Sequence, residues 1–354
     1  MAFADRLPLI RKIEELRGSK VICYLTSLRP GASGQMAEDA IREMLDQLLA
    51  IPQRPIPKLD IFLCSNGGDG VLPWRLVPVF RQFATSFSVL VPYHAYSAAT
   101  IMALGANEIV MHPFAVLGPI DPTVTNPFNP PSPQGRLIGI SVEDVKAYVN
   151  FVKETVGINH EDELVKMLEI LAEKVHPLAL GNVERFISQS RMIARKLLKT
   201  HMEEHVSERD IEDIIENLAS KLYFHGHPIN RTEAEKELRL KVAKEVPAEL
   251  EAAMWDLYTD FESEFRNREP FQPIAELAAK LIPWTPPAPP PSPPVIQVAH
   301  ETFETPLAIV ESGVSSSLQK VTRRFTLVSQ FGKQDEVREE LLNKEWTRTP
   351  APAP

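Results

Sequence analysis

The chain reads as an α/β protein with a mainly parallel sheet, and three observations point there. Apolar, β-branched runs of strand length recur at residues 19–26, 59–64, 88–92 and 108–112. Segments of helical period separate the first three, at 36–49 and 73–83, and another follows the third at 97–105. Prolines punctuate the boundaries, as Pro52, Pro55 and Pro57 do after the first of those helices. Strand–helix–strand units at this spacing imply right-handed crossovers and parallel neighbours.

Each element has its own signal. Leu9, Ile10, Ile13 and Leu16 share one face of a short N-terminal helix over 1–18. Ser19–Thr26 is a buried strand, followed by a loop at Arg29–Gly34. Ala37, Ile41, Met44, Leu45 and Leu48 mark the next helix, and Leu59–Cys64 the second strand. That strand runs into Ser65-Asn66-Gly67-Gly68-Asp69-Gly70, a turn with three glycines. A helix follows from about Pro73 to Phe83, made irregular by Pro78. Ser88–Pro92 is the third strand, Glu108–His112 the fourth, and Val116–Ile120 a short fifth. A proline-rich loop covers 119–135, and Ser141-Val-Glu-Asp144 opens a helix as a capping box. Residues 161–224 and 247–266 carry helical period. Seven of the nine residues from Pro286 to Pro294 are proline, a stiff extended linker. The tail at 295–354 is expected to be weakly ordered or docked on another subunit, with one helix near 335–344.

Composition narrows the function. With 354 residues, 44% hydrophobic and 24% charged, most of the chain is globular. A net charge of −9 argues against a nucleic-acid partner. No apolar run approaches the ~20 residues that cross a bilayer. The N-terminus lacks a signal-peptide pattern, so a cytoplasmic location is expected. Cys23 and Cys64 both lie in apolar strands and read as buried thiols, with no metal site. No phosphate loop or dinucleotide fingerprint occurs, and no cofactor is expected. His201 and His205 are spaced i, i+4 but lack the zinc-protease order. His225 and His227 flank a glycine in a turn, which points to a structural role.

The chemistry gathers at Pro92-Tyr-His-Ala-Tyr-Ser97-Ala-Ala-Thr. Ser97 ends a strand and begins a small-residue helix, where unpaired backbone N–H groups favour developing negative charge. That placement suits an acyl-transfer nucleophile, and equally suits an N-cap. A nucleophile needs an oxyanion hole and a base. The Ala98 N–H and the Gly67-Gly68 turn can supply the hole. Both turns follow carboxyl ends of strands, the edge where open α/β sheets bind ligands.

The order Ser-Asn-Gly-Gly-Asp-Gly, then Val-Pro-Tyr-His-Ala-Tyr-Ser97-Ala-Ala-Thr, then Glu-Ile-Val-Met, then Leu117-Gly-Pro-Ile-Asp-Pro122, resembles the serine dehydrogenase proteinase family. His225-Gly-His-Pro-Ile-Asn-Arg-Thr-Glu-Ala also looks like a family segment, so the resemblance spans roughly 20–260. That family is grouped with the Clp proteases and signal peptide peptidase A on the crotonase-like fold. The resemblance implies a spiral of repeated ββα units followed by a helical segment. It also implies a serine peptidase with Ser97 as nucleophile and an oxyanion hole from Gly67 or Gly68 with Ala98. Two departures stand out: Ala99 where relatives commonly have glycine, and Asn66 where many have proline.

The base is less marked. Clp proteases place a histidine where this chain has Pro119-Ile-Asp121-Pro122. The signal-peptide-peptidase relatives use a lysine from a later helix, and Lys146 stands in a matching place. A lysine serves as base only where burial lowers its pKa from ~10.4 toward neutrality. His94, His112 and Asp121 are the alternative pocket or base residues.

The organisation expected is a catalytic core at 1–158, a helical extension at 159–282, a proline-rich linker at 283–294 and the tail at 295–354. The function expected is an ATP-independent serine endopeptidase with a Ser97–Lys146 dyad, acting on peptide or protein substrates as a homo-oligomer. A protein partner for the linker and tail belongs to the same expectation. The rivals are an acyl-CoA enzyme using the same amides as an enolate hole, and an inactive scaffold.

Overall fold

A computed structural model of the chain describes residues 3–120, 123–124, 127–132, 137–202, 206–221, 227–281, 296–330 and 333–352. The linker at 283–294, Asp121, His205 and His225 lie outside these described residues. In chain order the elements are α1 (Phe3–Arg17), β1 (Lys20–Thr26), α2 (Ala40–Ala50), β2 (Ile56–Cys64), α3 (Leu72–Phe83) and β3 (Ala84–Val91). Then come β4 (His94–Ala95), α4 (Ala98–Leu104), β5 (Glu108–Met111), β6 (Val116–Leu117), β7 (Thr123–Val124) and β8 (Ile140–Ser141). Five helices lead up to the next strand or follow it: α5 (Val142–Asn150), which continues into a π-turn, α6 (Glu161–Lys174), α7 (Pro177–Met202), α8 (Glu208–Glu216), and, after β9 (Ile229–Asn230), α9 (Arg231–Lys236). The chain closes with α10 (Ala248–Phe265), α11 (Pro273–Ala278), β10 (Ile296–Ser312), β11 (Ser315–Gln330) and β12 (Glu336–Pro350).

Strands β1, β2, β3 and β5 are parallel neighbours in that order, as their apolar runs require. Both faces of these strands are covered. Ile22 and Tyr24 of β1, with Leu59, Ile61 and Leu63 of β2, pack on α2, α3, α4 and α7. The alternate residues Val21, Cys23, Leu25, Phe62 and Cys64 pack on α1 and α10. Burial on both sides explains why these strands are apolar at nearly every position instead of alternating. Truncating a fully buried member such as Phe62 to alanine would cost about 3–5 kcal/mol. Pro78 is accommodated within α3. The helices at 40–50, 72–83 and 98–104 connect the strands as crossovers.

A second, three-stranded sheet, β4-β6-β9, stands beside the main one. In β3–β4–α4 a long strand is followed by a short one and a helix, the ββα unit that the resemblance implied, whereas β1 and β2 run on to α2 and α3 through segments that make only the isolated bridges Met36–Gly68 and Ser65–Ala95. Val116–Ile120 was expected as one strand; only Val116–Leu117 pairs, with β4 on one side and β9 on the other.

The tail differs from expectation. Residues 296–350 are three long antiparallel strands that extend the main sheet to seven, in the order β12-β11-β10-β1-β2-β3-β5. β10 lies antiparallel to β1, with Ile309 opposite Leu25. The segment 335–344, expected as helix, lies mostly in β12. Pairing with β11 over fourteen residue positions overrides the helix propensity of its Glu, Leu and Arg residues. A buried ion pair fixes the junction. Arg6 Nε and Nη2 each donate to a Glu311 carboxylate oxygen at 2.8 Å, and Nη1 donates to Asp260 at 3.0 Å. All three side chains are nearly inaccessible. Breaking one partner would strand the others as buried charges, at about 3–5 kcal/mol.

Candidate active site

The carboxyl ends of β2 and β3 lead into the two turns singled out from the sequence. They run side by side: Ser65 N–H donates to His94 O at 3.1 Å, and Tyr96 N–H donates to Ser65 O at 3.0 Å. The glycine turn is tied to the segment after β1, since Met36 N–H donates to Gly67 O and Asp69 N–H to Met36 O, both at 2.8 Å. Ser65 Oγ accepts from Gly67 N–H at 3.0 Å and lies 2.7 Å from Thr26 Oγ1.

Glycine is required at both turn positions. Gly67 has φ +93, and a Cβ there would fall 2.6 Å from Tyr96 O and 2.9 Å from Ser97 Cβ. Gly68 has φ +149, and a Cβ there would fall 2.3 Å from Met36 O. Gly67 therefore packs directly on the serine. Ser97 itself has φ 53 and ψ −115. A left-handed φ at a non-glycine residue costs about 1–3 kcal/mol and holds only where the surroundings over-determine it. The chain turns sharply at Ser97 into α4, whose seven residues are all buried.

The hydrogen bonds separate the two glycines. Gly67 uses both backbone groups, its N–H on Ser65 Oγ and its C=O on Met36. Among the described residues, the N–H groups of Gly68 and Ala98 have no acceptor, whereas Ala99 N–H reaches Tyr96 O and Ile101 N–H reaches Ser97 O. A Cβ on Gly67 would sit 3.1 Å from the Ala98 nitrogen, so the second free amide adjoins the glycine turn.

Ser97 and Gly68 open onto a pocket of about 180 Å³. Its apolar wall is Val71, Ile101, Ile120 and Phe186, with Asp69 and Gln189 among the polar lining. Sequence reasoning missed the contribution of α7, because Phe186 is one apolar residue in a long helical repeat. Ser190 of α7 holds the wall by donating to Ile120 O at 2.7 Å.

The other sequence candidates fall elsewhere. The His94 ring stacks on Tyr96 at 4.5 Å and 6° and lies tilted by 37° against Tyr93 at 5.0 Å. Burial pushes its pKa down to about 4, and its Nε2 is buried with no partner among the described residues. His112 stacks on Trp255 at 5.1 Å, and its Nδ1 accepts from Phe114 N–H at 3.2 Å. Burial lowers its pKa as well. Neither ring is among the described residues that line the Ser97 pocket. Lys146 is half-buried on α5 and is likewise not among them. Its neighbour Val145 packs with Val183 and Ile187 of α7, next to the pocket residue Phe186.

Two further histidines, His201 and His227, have structural partners. His201 Nε2 lies 2.8 Å from Leu104 O, and burial pushes its pKa to about 4. His227 Nε2 lies 2.8 Å from Glu233. Both cysteines are buried free thiols, and burial pushes Cys64 up to about 12. Among the described residues, no group of three or more His, Cys, Asp or Glu side chains is arranged to hold a metal ion. No described helix is long and apolar enough to cross a membrane.

Comparison with known proteins meets the same turns. Residues 1–134, which include both of them, match the family of ClpP-like SDH-type serine proteinases. Two uncharacterized proteins of Methanocaldococcus jannaschii are similar over most of the chain. MJ0137 is 28% identical over 261 residues, 72% of this chain and 78% of its own length. MJ1495 is 25% identical over 248 residues, 68% and 73%. Among solved structures, a mutant of the 1510-N membrane-bound stomatin-specific protease aligns at TM-score 0.38 and 16% identity, over 64% of this chain and 82% of that one. A ClpP1 mutant from Listeria monocytogenes aligns at TM-score 0.34 and 11% identity, over 67% and 98%.

Proposed function

We propose that the chain is a serine peptidase in which Ser97 is the nucleophile. The observation that carries this is the strained Ser97 conformation beside two backbone amides with no acceptor, in the lining of a pocket of about 180 Å³. The match of residues 1–134 to a serine proteinase family supports it independently. An N-cap serine would hold an ordinary extended φ and bond its own helix, whereas Ser97 makes no side-chain capping bond.

In this reading Ser97 Oγ attacks a peptide carbonyl while its proton passes to a base. The carbonyl oxygen gains negative charge and is held by the N–H groups of Gly68 and Ala98. Collapse of the tetrahedral intermediate returns the proton to the leaving amine and leaves an acyl-serine, which water hydrolyses. Gly67 keeps Gly68 in place and is not itself a donor, because its N–H is engaged by Ser65. The proposed base is Lys146, from α5. α5 packs through Val145 on α7, the helix that also supplies the pocket residues Phe186, Gln189 and Ser190, and this adjacency supports the choice.

The proposal extends to endopeptidase action without ATP and to self-assembly. On α6, Val165, Leu168 and Ile170 are 53%, 51% and 57% exposed, more apolar surface than a lone helix leaves to water. A fluorophosphonate probe tests the nucleophile: wild type labels at one site, and Ser97→Ala does not. Labelling that survives in Ser97→Ala removes Ser97 from the chemistry. Cleavage of a peptide blocked at both ends distinguishes an endopeptidase from an exopeptidase, and light scattering reads the assembly state.

A further inference from the structure

We infer that Thr100 is a positioning residue for the nucleophile, a role that rests on the reading of Ser97 just given. Thr100 is the third residue of α4 and wholly buried. Its neighbours in the sequence are small or apolar, and a purely structural requirement there would be met by valine, which has nearly the same shape. The hydroxyl has three backbone atoms around it. Its oxygen lies 2.7 Å from Ala95 O, 2.8 Å from Gly118 O and 3.2 Å from Gly118 N.

A hydroxyl has one proton, so it donates to one of the two carbonyls at a time and accepts from the Gly118 N–H. Gly118 N–H also reaches Ala95 O at 3.0 Å. The four groups form a closed knot of backbone and side chain. One strand of the knot is Ala95, two residues before Ser97. The other is Gly118, two residues before the pocket-wall residue Ile120. The Tyr96 ring locks the same junction, because a Cβ on Gly118 would fall 2.6 Å from it. Thr100 thus couples the turn that presents the serine hydroxyl to the wall against which a substrate side chain rests. Ser97 holds a conformation that relaxes when its surroundings loosen. A displacement of about 1 Å in a reacting group costs about 10²-fold in rate.

The test compares Thr100→Val and Thr100→Ser with wild type and Ser97→Ala, using the full chain. Readouts are the second-order rate of fluorophosphonate labelling, kcat and KM on a peptide substrate, and the thermal unfolding curve. Thr100→Val is expected to unfold cooperatively, to label at least tenfold more slowly, and to lose kcat while KM stays within about twofold, the pattern of an interaction used in the transition state. Thr100→Ser, which keeps the hydroxyl, is expected to recover labelling to within about threefold of wild type. Wild-type labelling by Thr100→Val overturns the inference, and so does failure of Thr100→Ser to recover when it is folded. If Thr100→Val does not fold, Thr100→Cys keeps the volume with a weaker donor and is expected to label at an intermediate rate; labelling at the wild-type rate overturns the inference equally. Absence of Ser97-dependent labelling in the wild type removes the nucleophile itself, and this role with it.

Discussion

The Ser97 turn and the α5 helix that carries Lys146 are built to different standards. Around Ser97 the backbone is buried, bonded on both sides and pressed against two glycines that tolerate no added carbon. α5 is a half-exposed helix that packs through Val145 against α7. The difference teaches that one part of the proposed machinery is preorganised by the core, and the other is positioned by a more exposed layer. The core part should fail through geometry and the outer part through chemistry alone.

The largest effect is expected at Ser97 itself. Ser97→Ala should lose essentially all probe labelling and turnover. Next is Gly68→Ala, where the added carbon meets the Met36 backbone at 2.3 and 2.7 Å. It should lower stability by roughly 2–4 kcal/mol and labelling by about 10²-fold, because the amide it displaces is one of the two free donors. A Gly68→Ala protein of wild-type stability and labelling rate would show that the turn is not a rigid cradle. Lys146→Ala should separate the two standards: turnover falls by at least about 10²-fold, while unfolding free energy changes by only about 1 kcal/mol. If turnover is unchanged, the base lies elsewhere.

Acid should weaken the core layer before the outer one. His94 and His201 have pKa values near 4 when folded, below the 6.5 of an ordinary histidine. The unfolded chain therefore binds more protons between these values. Their neutral burial contributes fully above about pH 6.5 and is lost as pH falls toward 4. Each ring accounts for at most on the order of 3 kcal/mol. Denaturant midpoints at pH 7 and pH 5 should differ, and the difference should shrink in His94→Phe. The smallest effect is expected on the outer strand. Arg324 and Glu340 pair at 3.3 Å in the open, and removing either should change stability by less than about 1 kcal/mol.

How much was legible in the sequence follows the same division. The parallel strands could be read because burial on both faces leaves apolar runs, as in Lys20–Thr26 and Ile56–Cys64. The two turns could be read because Gly67 and Gly68 carry their conformational demand in their identity and Ser97 carries its chemistry. The choice between Gly67 and Gly68 could not. It depends on Ser65 Oγ taking one amide and leaving the other, a three-dimensional fact. Phe186 was hidden because a pocket wall and a core position look alike along a helix. The tail was misread for a different reason. Ser316, Ser317 and Gln319 are buried polar residues, satisfied by partners such as Glu43 and Asp39, and β12 is exposed along nearly its whole length. β11 alternates in burial from Gln319 to Thr322 and from Phe325 to Ser329, but polar residues such as Gln319 and Ser329 stand on its buried face and blur the sequence pattern, while β12 shows no alternation at all and is a strand only through its ladder.

The backbone at Ser97 has one more consequence. A glycine at that position would adopt the same angles without penalty, so Ser97→Gly should melt at a higher temperature than the wild type while doing no chemistry. The residue on which activity depends would then be a net debit to the fold, and selection for durability alone would remove it.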